Sequence, residues 1–450
     1  MRWRIIDIYQ EYEGKCCTPD QAVQVVKDGD WVDYGMSCAY PTALDKALAR
    51  RHGDLKDIKV RNAISCHAVA ILEADPDNET FTYNLWHCSG IDRKYLDAGR
   101  VYHEPMLFRD CGSYYSRGFA PVNVAMITVA PMDNHGNFSF GLTNGCTQEM
   151  LDVAEKIIVE VNPNMPVVFG MGSDHIHVSK VDAIVESEEP ISLAPNREPS
   201  AIDQQIAENI FPYLHDGITL QLGIGGMPNA LGSLIAGLDL KDLGMHTELM
   251  SDGYLDLYQS GKITNDKKPF QRGKGVFSIC MGSKELYEFL DHNQDILSAP
   301  MHYVNNPETI RQLDDFISIN SCIAVDLYGQ VCSESAGTRK ISGTGGHLDF
   351  VTGAYVADHG KAFLAMPSSR VDKQGIRHSN ILPKFTAGDI ITTPRTQAPY
   401  MVTEYGVANL SGLATWQRAE ALINIAHPDV REALIQAAEA QRIWRQRNKC

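Results

Sequence analysis

Two glycine-rich turns and one glutamate are the parts of this sequence whose residue types and spacing could carry chemistry. The first turn, residues 223–227, follows the apolar run 218–222 and precedes Pro228. Proline suits the first turn of a helix, because the amide it lacks would have no helical partner there. A strand, a glycine turn and a helix start bring backbone amides together, and such amides bind anions or a developing oxyanion. The same pattern is also typical of a purely structural connection, and both interpretations stay open.

The second turn reads Gly-Thr-Gly-Gly-His over residues 343–347 and precedes a further apolar segment. Glycines allow a tight loop with positive φ, so a structural role explains this turn equally well on its own. Two such turns in one half of the chain favour a ligand site over two unrelated loops.

Glu248 lies in a segment that has the alternation of a strand. Met245, Thr247 and Leu249 alternate with His246 and Glu248 before a turn signal at residues 251–253. Glu248 would therefore lie near the carboxyl end of a strand, where open α/β sheets bind ligands. A solvated or salt-bridged glutamate is the competing interpretation, and the residue pattern alone does not decide between them.

Several familiar catalytic motifs are missing. The dinucleotide fingerprint G-x-G-x-x-G fails because Pro228 occupies the position of the third glycine. No serine nucleophile elbow, G-x-S-x-G, occurs in the chain. His175 and His177 form an H-x-H pair, but no further ligand follows at the spacing of a metal motif. We therefore expect no metal site.

Charge and composition restrict the classes of partner. The 450 residues include 40 Lys and Arg against 56 Asp and Glu, a net charge of −16. This balance argues against a general nucleic-acid binder, although a local pocket can still hold an anion. No apolar run approaches the ~20 residues of a membrane span, and the N-terminus lacks the apolar stretch of a signal peptide. We expect a cytoplasmic protein that does not bind membranes and whose 11 cysteines are reduced.

The elements that must position these residues follow an alternating pattern. Apolar runs at 124–129, 157–161 and 218–222 alternate with stretches of helical spacing, such as residues 200–213. This alternation predicts an α/β architecture with largely parallel sheets. The segment 187–200 holds three prolines and a cluster of charges, so we predict one domain over residues 1–195 and a second over 196–450. A helical pattern over 415–444 breaks at His427 and Pro428.

A series of ordered motifs over nearly the whole chain resembles the acetyl-CoA hydrolase/transferase family of CoA-transferases. Within that family the chain is most similar to the butyryl-CoA:acetate CoA-transferases, with the 4-hydroxybutyrate CoA-transferases as close relatives. The motifs that carry the resemblance are residues 29–35, 86–94, 130–136, 223–229, 246–248 with 251–253, 343–350 and 402–406.

The resemblance implies a fold of two similar open α/β domains and a set of site residues. The family's catalytic glutamate follows His-Thr or His-Ser, which here places it at Glu248. The first glycine turn would contact coenzyme A and supply an oxyanion donor from the Ile224 amide, and the second would supply the Gly346 amide. Coenzyme A is then a substrate rather than a permanently bound cofactor, and a homo-oligomer is implied. The residues implied for coenzyme A and oxyanion binding are Gly223, Ile224, Gly225, Gly226, Met227, Gly343 and Gly346, with Asn320 and Lys361 as secondary candidates.

The implied reaction moves CoA from butyryl-CoA to acetate through a glutamyl-CoA thioester on Glu248. Transfer to 4-hydroxybutyrate, or hydrolysis of an acyl-CoA by water, remains an alternative within the same family. A silent acyl-CoA-binding protein and a nucleotide-dependent dehydrogenase are alternatives of other classes. His347 stands where relatives often have glutamine, which leaves the acyl and acceptor preference open.

Overall fold

The computed structural model describes residues 8–194, 198–223, 226–397 and 399–445. Contacts between Cα atoms divide the chain into two compact units. The first unit comprises residues up to 195 together with 276–304, and the second comprises 196–275 together with residues from 305 onwards. The segment 276–304, which the sequence prediction placed in the second domain, thus groups with the first unit.

The first unit is built on a sheet of seven parallel strands. Its order from edge to edge is Val101–His103, Phe81–Leu85, Ile58–Asn62, Trp31–Tyr34, Val124–Val129, Lys156–Val161 and Ala183–Glu186. Its other strands are Asn137–Ser139, His175–His177, Gly275–Cys280 and Ile296–Ser298. Its α-helices are Ile8–Lys15, Pro19–Ala22, Thr42–Ala49, Ala70–Ala74, Arg93–Asp97, Cys111–Ser116, Thr147–Val153, Lys284–Leu290 and Met301–Val304.

The second unit also contains a largely parallel sheet. Its strands pair in the order Gly244–Met250, Thr219–Leu222, Phe316–Ser321, Lys361–Ala365, Tyr400–Thr403 and Gly406–Asn409. Only the pairing of the last two is antiparallel. Shorter strands are Ala324–Asp326, Val331–Cys332, Ser335–Ala336, Arg339–Lys340, Ser369–Val371, Arg377–Ser379 and Ile381–Leu382. Its α-helices are Ala201–Ile210, Gly226–Ala236, Asp252–Gln259, Pro307–Ile310, His347–Val356, Thr415–Asn424 and Pro428–Ala440.

The parallel sheets confirm the predicted α/β class, and their strands explain why the sequence pattern works. Every residue of Val124–Val129 is buried, as expected for a parallel strand covered on both faces. Gly244–Met250 is buried on both faces as well, including His246, and only Glu248 is partly exposed. The alternation of residue types in this strand therefore does not separate a solvent-exposed face from a buried one.

Local signals place the helices of the second unit. Ser200 caps Ala201–Ile210 in a capping box with Asp203, whose carboxylate accepts from the Ser200 amide. The predicted break at His427 and Pro428 separates the last two helices, and Pro428 is the first residue of the second one. Residues 251–253, predicted as a turn, instead begin the helix Asp252–Gln259.

Within the described residues, no helix combines the length and apolar composition needed to cross a bilayer.

Candidate active site

The candidate site of the second unit lies where its central strands end. The chain leaves Thr219–Leu222 for Gly244–Met250 on one side, while Phe316–Ser321 pairs on the other side. In open α/β sheets, ligands bind at the carboxyl ends of strands flanking such a change of direction. Leu220 pairs with Met245, and continuing this parallel register brings Gly223 level with Glu248. The predicted glutamate and the first glycine turn thus occupy the same edge of one sheet.

The Glu248 carboxylate accepts hydrogen bonds from two donors. Oε2 accepts a hydrogen bond from Nδ2 of Asn305, and the backbone N–H of Gly346 also donates to this carboxylate. Burial raises the pKa of Glu248 to about 7, while the two donors act in the opposite direction. A half-ionised carboxylate near neutral pH is suited to nucleophilic or acid–base chemistry.

Gly346 approaches the carboxylate so closely that any larger residue would disturb the site. A Cβ atom at this position would collide with Oε2 of Glu248 and with Nδ2 of Asn305. The preceding Gly345 adopts a φ of 54°, in the left-handed region that favours glycine. Gly346 is also the N-cap of His347–Val356, so the positive end of that helix lies beside the glutamate. Gly343 is buried at the start of the same turn.

The first glycine turn is only partly described. Gly223 donates its N–H to the carbonyl of Ile319 at 2.8 Å, and a Cβ on Gly223 would collide with Oδ1 of Asn320. The predicted helix begins at Gly226, and Met227 in its first turn is buried. Ile224 and Gly225, which the resemblance places at the oxyanion, lie outside the described residues.

Asn320 belongs to a buried polar network beside this turn. Its Nδ2 donates to Oε1 of Gln221 at 3.0 Å, and its Oδ1 accepts from Nε2 of Gln221 at 3.1 Å. Ser318 also donates to Oε1 of Gln221, at 2.6 Å. The network fixes the amide of Asn320 next to Gly223, so this secondary candidate does lie at the site's edge of the sheet.

Lys361 is not brought to this edge. It is the first residue of Lys361–Ala365, which runs parallel to Phe316–Ser321 and therefore begins at the opposite end of the sheet. Its Nζ donates to the carbonyl of His359 at 3.1 Å in an exposed position. At ~3.3 Å per residue, a five-residue strand separates the two ends by more than 10 Å.

The H-x-H pair of the first unit is satisfied locally. Nδ1 of His175 lies 2.9 Å from Oδ1 of Asp174, and Nδ1 of His177 lies 2.8 Å from Oγ of Ser179. In the part of the chain that the structure describes, no group of three or more His, Cys, Asp or Glu is arranged to hold a metal ion.

Sequence reasoning missed two residues that position the site. Asn305 lies 57 positions after Glu248 and has no motif around it that points to a carboxylate. Tyr254 is fully buried, and its hydroxyl accepts from the N–H of Leu222 at 2.8 Å, immediately before the first glycine turn. Because Tyr254 is an aromatic residue in the helix after the His-Thr-Glu segment, its packing in the core could be predicted, but its hydrogen bond with Leu222 could not.

Comparisons with known proteins identify relatives over nearly the whole chain. Residues 2–195 match the acetyl-CoA hydrolase/transferase N-terminal domain, and residues 282–438 match the C-terminal domain of the same family. The chain is 46% identical to a butyryl-CoA:acetate CoA-transferase from Anaerostipes caccae, over 98% of this chain and 99% of that protein. It is 38% identical to a 4-hydroxybutyrate coenzyme A transferase from Clostridium kluyveri, over 97% and 98% respectively.

The fold agrees as well. The crystal structure of RipA from Yersinia pestis superimposes with a TM-score of 0.90 at 35% identity, covering 97% of this chain and all of that one. Two domain matches, relatives at this identity and a shared fold all lead to one assignment. The chain belongs to the acetyl-CoA hydrolase/transferase family.

Proposed function

We propose that the protein is a CoA-transferase that moves CoA from a short-chain acyl-CoA, butyryl-CoA, to acetate, with Glu248 as the nucleophile. The observation that carries the proposal is the partly buried Glu248 carboxylate, held by Asn305 and Gly346 at the sheet edge that also carries the first glycine turn. The names of the relatives supply the substrates, butyryl-CoA and acetate. Coenzyme A is a substrate in this proposal and not a resident cofactor.

The reaction begins when an oxygen of Glu248 attacks the carbonyl carbon of the acyl-CoA thioester. The C–S bond breaks, the CoA thiolate leaves, and a mixed anhydride joins Glu248 to the acyl group. The thiolate then attacks the glutamyl carbonyl carbon and expels the acyl carboxylate, leaving a glutamyl-CoA thioester. Acetate reverses both steps and departs as acetyl-CoA. Because a thiol has a pKa of ~8.5, the thiolate leaves without a strong general acid.

The hydrogen bonds to Glu248 assign different roles to its two carboxylate oxygens. Oε2 is occupied by Asn305, so Oε1 is the oxygen available for attack. When the thiolate attacks the glutamyl carbonyl, negative charge develops on Oε2. The amide of Asn305 and the N–H of Gly346 are then already placed as oxyanion donors, and each such donor contributes ~3–4 kcal/mol to transition-state stabilisation. At the acyl carbonyl, we assign the donor role to the Ile224 amide, because the Gly346 N–H is engaged by Glu248.

The intermediate provides the direct test. Butyryl-CoA added without a carboxylate acceptor should load part of the enzyme with CoA as a thioester at Glu248, because water is excluded from the shielded carbonyl. Intact-protein mass spectrometry should detect the adduct, and hydroxylamine treatment followed by peptide mapping should place it on Glu248. Acetate should then discharge it as acetyl-CoA, with ping-pong kinetics.

Two outcomes would contradict this scheme. Adduct mapped to another side chain, such as Cys280, would move the nucleophile. Sustained release of free CoA without acetate, at a rate comparable to transfer, would make the protein an acyl-CoA hydrolase, the activity named for more distant relatives at 25–27% identity.

The pH dependence of transfer should report the ionisation of Glu248. Only the carboxylate form of Glu248 attacks. The plot of kcat/KM for butyryl-CoA against pH should therefore have a rising limb with its midpoint near pH 7, the value to which burial raises this pKa. Asn305→Ala removes a donor that stabilises the charged form, and the limb should move upward by about one pH unit. Asn306→Ala is the matched control, since Asn306 only caps Pro307–Ile310. An unmoved limb in Asn305→Ala would contradict the assignment.

The assembly of the chain into a homo-oligomer stays a prediction. Transfer to 4-hydroxybutyrate is the alternative to transfer to acetate, since relatives named for each acid resemble this chain. The same assay with 4-hydroxybutyrate in place of acetate tests it.

A further inference from the structure

One buried glutamate, Glu334, holds the segment that leads into the turn ending at Gly346. Glu334 is 3% exposed and lies between the short strands Val331–Cys332 and Ser335–Ala336. A glutamate is almost never buried to this degree unless it is paired and hydrogen-bonded. Most of its partners lie on the approach to the second glycine turn.

Both the backbone and the side chain of Glu334 hold that approach. Its carbonyl oxygen accepts the N–H groups of Ile341 at 2.7 Å and Ser342 at 3.2 Å. Its Oε1 accepts from Oγ1 of Thr344 at 3.0 Å, and its Oε2 accepts from Nζ of Lys340 at 2.8 Å. A single residue thus fixes the chain from 340 to 344, and Gly346 follows only two residues later.

The charge of Glu334 is retained despite its burial. Desolvation acts to raise the pKa of this carboxyl, but the Lys340 ammonium and the hydroxyls of Thr344 and Thr392 outweigh it, so the pKa lies below its usual value. His347 is close enough to feel the same charge, yet burial lowers its pKa to about 4 and keeps it neutral. Lys340 is therefore the cation that Glu334 pairs with, and the Thr344 hydroxyl donates to the other carboxylate oxygen.

Further hydrogen bonds shape the turn between Thr344, which donates to Glu334, and Gly346, which donates to Glu248. The N–H of His347 donates to the carbonyl of Thr344 at 3.2 Å, which closes the turn around Gly345 and Gly346. Nε2 of His347 lies 2.9 Å from Oγ1 of Thr393. The Gly346 N–H, which donates to Glu248, thus belongs to a turn whose Thr344 hydroxyl donates to Glu334.

We infer that Glu334 is a positioning residue for the reaction: through Thr344 it aims the Gly346 amide at the Glu248 carboxyl. This inference rests on the proposed function for its kinetic consequence, but not for its structural one. A misaimed amide would cease to stabilise the ionised glutamate and the oxyanion on it, while leaving coenzyme A contacts elsewhere unchanged.

The sharpest variant is Thr344→Val, which removes the hydroxyl and keeps the side-chain shape, the Glu334 charge and the Lys340 pair. We expect kcat to fall about 10- to 100-fold, as for one weakened pre-aligned donor, with KM for butyryl-CoA within about twofold. Glu334→Gln keeps an oxygen that can accept from Thr344 but loses the charge, so its loss should not exceed that of Thr344→Val. The double variant should be no worse than Thr344→Val, because both act through one contact. Thr344→Ser keeps the hydroxyl and should restore most of the rate.

A readout independent of turnover separates this inference from the proposed function. In protein labelled at the glutamate carboxyl carbon with ¹³C, the Glu248 signal is identified by its loss in Glu248→Gln. It should titrate near pH 7 in the wild type and roughly 0.5 to 1 unit higher in Thr344→Val, because a donor to the charged form is weakened. Glu288→Gln, which breaks an exposed pair with Lys284, should change neither the titration nor the rate.

An unmoved Glu248 titration in folded Thr344→Val would overturn the inference, and so would losses that add in the double variant. A protein with the shifted titration but no CoA transfer would instead contradict the proposed function alone. Circular dichroism verifies folding of each variant. If Glu334→Gln fails to fold, Thr344→Val and Thr344→Ser still decide the question, because both keep the buried ion pair intact.

Discussion

Glu248→Gln should lose CoA transfer almost completely, by about 10⁴-fold or more in kcat, as expected when a covalent nucleophile is removed. Glutamine has nearly the same volume and can still accept from Asn305, so the site should keep its shape. The amide oxygen is a poor nucleophile, and no anhydride forms. The measurement is the rate of acetyl-CoA formation from butyryl-CoA and acetate, with coenzyme A ester binding measured separately by calorimetry.

The same variant should be more stable than the wild type at high pH. Burial raises the pKa of Glu248 to about 7, against an ordinary value near 4.5, so its ionisation destabilises the folded state. That cost is absent below about pH 4.5, grows as the pH rises towards 7, and is complete above it; it amounts to about 1–3 kcal/mol. Thermal unfolding at pH 8 should therefore show Glu248→Gln above the wild type, and at pH 4.5 the difference should vanish.

Glu160→Gln is the matched control for a buried glutamate without a chemical role. Burial also raises the pKa of Glu160, which accepts the amides of Ala43 and Leu44 at the start of a helix in the first unit. Its kcat should stay within about twofold of the wild type, since surface and buried positions away from the chemistry act on stability. More than a few per cent of residual transfer in Glu248→Gln would refute the nucleophile assignment.

Gly346→Ala should be the second most damaging substitution, although it adds one methyl group. The new Cβ would collide with Oε2 of Glu248 and Nδ2 of Asn305, so either the turn or these two side chains must shift, and both shifts disturb the hydrogen bonds to the carboxylate. Moving the amide away removes a donor from the developing oxyanion, for which we expect a loss of about 10²- to 10³-fold in kcat. Steady-state kinetics should show equal losses in kcat and kcat/KM, the mark of a contact made in the transition state.

Gly14→Ala serves as the control for Gly346→Ala. No atom lies within 4 Å of a Cβ at Gly14, which sits in the helix Ile8–Lys15. Alanine favours a helix over glycine by about 1 kcal/mol, so this variant should be active and no less stable. Normal kcat in Gly346→Ala would remove the oxyanion role from the second turn.

Much of this arrangement could be predicted from local sequence. The strand Thr219–Leu222, the glycine turn after it and the helix from Gly226 follow from apolar runs, glycines and a proline within 15 residues. Ser200 as a helix cap and the break at Pro428 are equally local. Glu248 was placed near a strand end by alternation, and the choice of this glutamate came from the family resemblance.

The parts that could not be predicted depend on contacts between distant segments. Asn305 lies outside the strands, just before the helix Pro307–Ile310, and reaches Glu248 only in the folded chain; no periodicity links residues 57 apart. Glu334 would be assigned to a solvated loop by its neighbours Ser333 and Ser335, yet the folded chain buries it. Lys361 was considered for coenzyme A because it follows the second turn in sequence, but its strand starts at the other end of the sheet.

The unequal treatment of the two Glu248 oxygens has a consequence for isotopes. In the proposed scheme, the bridging oxygen of the anhydride departs with the released acid, and an oxygen of the incoming acid replaces it on the enzyme. Oε2, gripped by Asn305, becomes the thioester carbonyl oxygen and never enters the bridge. As long as the carboxylate does not flip between turnovers, Oε1 is exchanged in every catalytic cycle. Oε2 is never exchanged and remains the oxygen atom present when the protein was synthesised.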